Sequence, residues 1–80
     1  MSILRRIQQM RASLSGGSFL LEASGDLAAG DVLVIMKTSG AHQELPEEVT
    51  VTERGDGSFK LADEIMALFR EGEMVVFGYF

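Results

Sequence analysis

Two nearly uninterrupted apolar runs dominate the chain and predict the central strands of a small sheet. The first run covers Val32 to Met36, and the second covers Met74 to Phe80 with only Gly78 interrupting it. A strand with one face in water alternates polar and apolar residues, and neither run does so. We therefore expect both faces of the two strands to be covered, the second run being either a central strand or docked on a partner.

Residues 1–14 show the spacing of an amphipathic helix. Four apolar residues recur at intervals of four, three and four, which places them on one narrow helical face: Ile3, Ile7, Met10 and Leu14. The pattern predicts a helical arm over residues 1–14 and a Ser-Gly-Gly-Ser hinge over residues 15–18. The arm could pack on its own sheet, lie on a neighbouring subunit or contact a membrane surface.

A second, shorter helix is predicted over residues 62–71, directly before the last strand. Its apolar residues recur at helical intervals: Leu61, Ile65, Leu68 and Phe69. Asp63 and Glu64 suit the positive end of a helix, and Gly72 suits the residue that follows its last turn.

The rest of the chain reads as short strands and loops. Residues 18–23 and 49–53 have strand patterns, and the Gly-Asp-Gly at 55–57 predicts a hairpin. A three-residue loop at 55–57 is expected, because it keeps Val51 and Phe59 on the same face. Residues 39–48 form a long polar loop, anchored at Leu45, that is a candidate binding loop.

These elements predict one α+β domain over residues 1–80. Its body, residues 19–80, would be a small, mainly antiparallel sheet or partial barrel of four to five strands. It would carry the N-terminal helix and a second short helix before the last strand. A chain of 80 residues with 46% hydrophobic and 24% charged residues is typical of one folded domain.

The charge distribution excludes some partners. The net charge is −5, and residues 1–21 hold three arginines and no acid, so the acidic excess lies in residues 22–80. An acidic body repels nucleic acid, and no apolar run reaches the roughly 18 residues of a transmembrane segment. The chain contains no cysteine, which favours a cytoplasmic or virion-associated location over a secreted one.

Catalytic and metal-binding patterns are scarce. His42 is the single histidine, lies in the long loop, and is interpreted as a solvated side chain. A general base needs a positioned nucleophile or substrate proton, and the sequence shows no nucleophile motif. The acids at 44, 47 and 48 and at 63 and 64 match no calcium-binding spacing. We therefore expect no enzymatic activity, no metal and no cofactor.

The sequence favours a non-catalytic protein–protein interaction or assembly subunit, self-associating or part of a larger particle such as a virion. An alternative is a small acidic inhibitor or regulator of a basic, nucleic-acid-binding protein. The predicted partner-binding residues are Ile3, Ile7, Met10, Leu14, Leu45, Met74, Val76, Tyr79 and Phe80.

Overall fold

The computed structural model describes residues 8–23 and 25–79. These residues form a seven-stranded antiparallel half-barrel with one short helix. The strands are β1 (Gln8–Ser15), β2 (Ser18–Leu21), β3 (Val32–Thr38), β4 (Glu48–Thr50), β5 (Glu53–Gly55), β6 (Ser58–Lys60) and β7 (Met74–Tyr79), and the helix is α1 (Asp63–Met66).

The last strand lies near the middle of the sheet. The strand order is β4-β3-β7-β1-β2-β6-β5, so β7 pairs with β3 on one side and with β1 on the other. This is the central placement that the apolar run at 74–80 predicted as one of two alternatives. The two sheet edges, β4 and β5, are three-residue strands carrying Glu48 and Glu53, and short charged edges resist pairing with other chains.

The concave face of the half-barrel holds an aromatic core. Phe19 stacks on Phe59 at a ring-centroid distance of 5.5 Å and meets Phe69 and Phe77 edge to face at 5.3 and 5.4 Å. Such offset and edge-to-face arrangements are the favourable geometries for aromatic pairs. The other large side chains that are fully buried are Leu33, Leu61, Val51 and Val75.

The predicted α+β fold with an N-terminal helix is wrong, because residues 8–15 form β1. Met10, Ala12 and Leu14 point to the concave side as alternating strand positions, and Ala12 is fully buried. Met10 and Leu14 satisfy both a helical and a strand pattern, and pairing with β2 and β7 decides between them. The predicted arm covered residues 1–14, and its residues 1–7 lie outside the described residues.

Other predicted elements also change. Within the described residues the sheet has seven strands instead of four or five, and the helix predicted over 62–71 covers only Asp63–Met66. The segment 15–18 forms a tight hairpin turn between β1 and β2 instead of a hinge. Gly16 and Gly17 both have positive φ, at 60° and 84°, as the mirror-image turns of two-residue hairpins require.

The 55–57 hairpin has a different register from the predicted one. Arg54 pairs with Phe59 and Gly55 with Ser58, so the loop contains two residues and not three. The prediction treated residues 49–53 as one strand. The chain instead leaves β4 after Thr50 and starts β5 at Glu53, so Val51 and Phe59 are both buried without sharing one ladder.

Candidate functional site

The β3–β4 loop, residues 39–47, creates a groove beside β3. β4 pairs only with residues 32–34 of β3, and the Ile35 N–H then donates to the Glu47 carbonyl at 3.1 Å. Opposite β7, a bulge at Met36 shifts the register between Ile35 and Lys37. Bulges redirect side chains and are frequent beside functional sites.

The space between β3 and the returning loop is a cavity of about 330 Å³, at the lower end of the range for small-ligand pockets. Its walls are apolar where Leu45 and Ile35 pack against the core, and Met36 is 45% exposed. The residues lining this groove are Ile35, Met36, Lys37, Thr38, Gly40, His42, Leu45, Pro46 and Glu47.

A buried hydrogen bond between His42 and Glu73 holds the loop against the sheet. The Nε2–H of His42 donates to Oε2 of Glu73, and the two side chains are only 13% and 4% exposed. The His42 ring also lies edge to face with Phe69 at 5.3 Å. His42 is therefore a packed residue, and its interpretation as a solvated loop side chain is wrong.

The ionisation of Glu73 reflects both its burial and its partners. Burial opposes the charged form and by itself raises the pKa of Glu73. The hydrogen bond with His42 and the Arg70 N–H, which donates to Oε1 at 3.0 Å, outweigh this effect. The pKa of Glu73 is consequently lowered from its ordinary value of 4.5, so the carboxylate is charged at neutral pH.

An imidazole oriented by a buried carboxylate resembles the base-and-orienter pair of hydrolytic enzymes. A nucleophile would have to hydrogen-bond to the imidazole, and among the described residues neither neighbouring hydroxyl does so. The Thr38 hydroxyl donates to the Gly40 carbonyl at 3.0 Å, and the Ser39 hydroxyl accepts from the Met74 N–H at 2.9 Å. The geometry therefore supports a role for the His42–Glu73 pair in fixing the loop.

The convex side of the sheet carries a second candidate surface, here called the outer sheet face. It consists of Val32, Val34, Met74 and Val76 together with Arg11 and Lys37, which flank Val76 across the strands. Val32 is 49% and Met74 is 38% exposed. A shallow cavity of about 120 Å³ lies between the basic and apolar side chains near Met74.

Six of the nine predicted partner-binding residues lie in the described part of the chain, some at the core and some on the outer sheet face. Three lie outside the described residues: Ile3, Ile7 and Phe80. Four lie in or against the core: Met10, Leu14, Leu45 and Tyr79. Two lie on the outer sheet face: Met74 and Val76.

Sequence reasoning missed several residues that organise these surfaces. Glu73 carried no motif, and its partner His42 is 31 positions away. No sequence pattern pointed to Gly40 either, yet a Cβ atom at this position would come within 2.9 Å of the Glu73 carboxylate. The one available signal was an acid directly before an apolar strand, a position where a carboxylate becomes buried and needs partners.

The chain matches no protein-family model, no curated protein and no solved structure at a significant level. Within residues 8–23 and 25–79, no helix is long and apolar enough to cross a membrane.

Proposed function

We propose that this protein is a non-catalytic interaction or assembly subunit whose outer sheet face binds another protein surface. The exposure of Val32 and Met74 supports the proposal most directly. Both belong to strands whose apolar runs are typical of strands covered on both faces. The core covers the concave face of β3 and β7, whereas these two side chains on the convex face remain open to water within the described residues.

The chemistry of the outer sheet face suits a protein partner. Burial of apolar surface contributes about 25 cal/mol per Å², and a standard interface takes about 800 Å² from each partner. Exposed apolar side chains next to charged ones are common at protein interaction sites, and Arg11 and Lys37 lie beside the apolar Val76 on this face. The partner could be another subunit of an oligomer or a component of a larger particle such as a virion.

Site-specific photo-crosslinking in cells of the natural source tests the proposal. A benzophenone amino acid at Met74 should give a discrete adduct. The matched control is the same group at Leu68, which is 42% exposed and lies outside the outer sheet face. Equal adduct yields at the two positions, or no adduct at Met74, would contradict the proposal.

A second candidate function is an acidic regulator of a basic partner protein. Glu47 lines the groove beside β3, and Glu44 and Glu48 are exposed next to it. Binding of this kind weakens steeply with salt, because exposed charges are screened beyond about 10 Å at 0.1 M ionic strength. Binding through the apolar outer sheet face should change little over the same range.

Comparison of Glu47→Gln with Glu64→Gln separates a local contact from the general acidic field. Both changes remove one exposed carboxylate, but only Glu47 borders the groove. A regulator acting through the groove should lose affinity for its basic partner only with Glu47→Gln. Equal losses would assign the effect to net charge alone.

A further inference from the structure

We infer that the outer sheet face binds a second copy of this chain, forming a two-fold symmetric sandwich of two half-barrels. The inference rests on the proposed function and names the partner. Basic, acidic and apolar side chains follow one another on this face in such an order that a second, rotated copy of the face meets each with a complementary side chain.

Two neighbouring rows of side chains cross the outer sheet face with opposite character. The first is a basic row in which Lys37, Val76 and Arg11 lie side by side on β3, β7 and β1. The second, here called the acidic row, contains Val34 on β3 and its paired residue Glu48, the one carboxylate of the row, on the edge strand β4 that borders the face. The rows are two residues apart along β7, at Val76 and Gly78, or about 7 Å.

A two-fold axis running across the strands between these rows places the basic row of one copy over the acidic row of the other. Lys37 of one copy then lies above β3 of the second copy. Glu48 of the second copy is on the neighbouring strand β4, about 5 Å to the side, which is the usual spacing between strands. Symmetry generates the same contact a second time. Packed sheets are about 10 Å apart, which a lysine side chain and a glutamate side chain together can bridge.

The same axis brings the exposed apolar side chains together. Met74 lies two residues beyond the basic row, and Val32 lies two residues beyond the acidic row on the other side. The two-fold operation therefore places Met74 of one copy close to Val32 of the other. This arrangement covers Val32 and Met74, the exposed apolar side chains of the outer sheet face.

Lys37 is the basic residue that pairs with Glu48 of the second copy in this arrangement. Glu22 lies opposite Arg11 in the same chain, because the Glu22 N–H donates to the Arg11 carbonyl and extends the ladder between β1 and β2. The Arg11 side chain nevertheless forms no ion pair within 4 Å in the part of the chain that the structure describes. Lys37 has no carboxylate partner within 4 Å among the described residues. A carboxylate from a second copy would supply one.

Charge reversal with cross-complementation tests the inference. Sedimentation velocity and light scattering of the full chain should show a monomer–dimer equilibrium between about 1 and 500 μM, the weak end of the affinities that interfaces of standard size reach. Lys37→Glu and Glu48→Lys should each weaken the dimer about tenfold, because each places like charges together twice. An equimolar mixture of the two variants should restore the wild-type affinity, because both symmetric contacts become attractive.

Arg70→Glu and Glu64→Lys are the matched controls, since they reverse exposed charges outside this face. Neither should weaken the dimer, and their mixture should behave like the separate proteins. Failure of the Lys37→Glu and Glu48→Lys mixture to restore the dimer would overturn the inference. A wild-type monomer at 500 μM would also overturn it, whereas a Met74 crosslink to a different protein would leave the proposed function standing.

Discussion

Glu73 and His42 are joined by a hydrogen bond that connects the residue before β7 to the β3–β4 loop. Oε1 of Glu73 also accepts the Arg70 N–H at 3.0 Å, so both oxygens of the buried carboxylate have partners. The pair determines where the loop returns towards β4 and therefore the shape of the groove beside β3. Removing either member would leave a buried polar group without its partner.

The substitution Glu73→Gln should destabilise the fold by about 2 kcal/mol at pH 7. The amide keeps the size of the side chain but loses the charge-assisted hydrogen bond with His42. Urea denaturation followed by circular dichroism measures the change. Glu64→Gln is the control, and because Glu64 is exposed on α1 its effect should stay within about 0.5 kcal/mol.

The contribution of Glu73 should depend on pH in a defined direction. Its pKa is lowered below 4.5 in the folded state, so the unfolded chain binds this proton more readily. The stabilisation is therefore present above pH 4.5 and is lost as the pH falls through the folded-state pKa. The difference in unfolding free energy between wild type and Glu73→Gln should shrink on acidification. A constant difference down to about pH 3, below the usual glutamate pKa, would contradict this account.

Gly40→Ala should destabilise the loop by roughly 1–3 kcal/mol, the usual range for overpacking. The added Cβ would come within 2.9 Å of the Glu73 carboxylate, which is held in place by its hydrogen bonds. Gly25→Ala is the matched control, because its Cβ would meet the Tyr79 hydroxyl at an ordinary 3.7 Å. Similar thermal midpoints for the two variants would argue against a rigid Glu73.

Arg54→Lys should cost about 2 kcal/mol, because the guanidinium joins β5 to the segment before β3. Nε donates to the Leu27 carbonyl at 2.8 Å, and Nη2 donates to the Gly25 carbonyl at 3.1 Å. Nη1 donates to the Ser58 carbonyl at 3.0 Å. A lysine ammonium cannot reproduce this fork of donors. Chemical denaturation should show the loss for Arg54→Lys and little change for the exposed Arg70→Lys.

Phe19→Leu should destabilise the domain by about 2 kcal/mol, through a cavity and lost aromatic contacts. Phe19 is fully buried and contacts Phe59, Phe69 and Phe77. Leu68→Ala removes a similar amount of apolar side chain at a position 42% exposed, so its effect should be much smaller. Comparable losses would indicate that the aromatic cluster is not the centre of the core.

The candidate site was only partly visible in the sequence. The polar stretch at 39–48 correctly indicated a loop anchored at Leu45, which packs against the core. The contact that holds this loop against the sheet is the His42–Glu73 hydrogen bond, which joins residues from distant parts of the chain. No local pattern encodes such a pair, because the two residues meet only after β3 and β7 have paired.

The sequence by itself determined the strands at β3 and β7 and the presence of a hairpin near residue 56. Each of these is signalled by apolar runs or glycines within a few residues. Only the tertiary structure decided that residues 8–15 are a strand, because Met10 and Leu14 fit both periodicities and Ala12 pairs with Val75 at the other end of the chain. It also decided which side of β3 and β7 meets the core, since an unbroken apolar run marks neither face. That decision leaves Val32 and Met74 exposed on the outer sheet face.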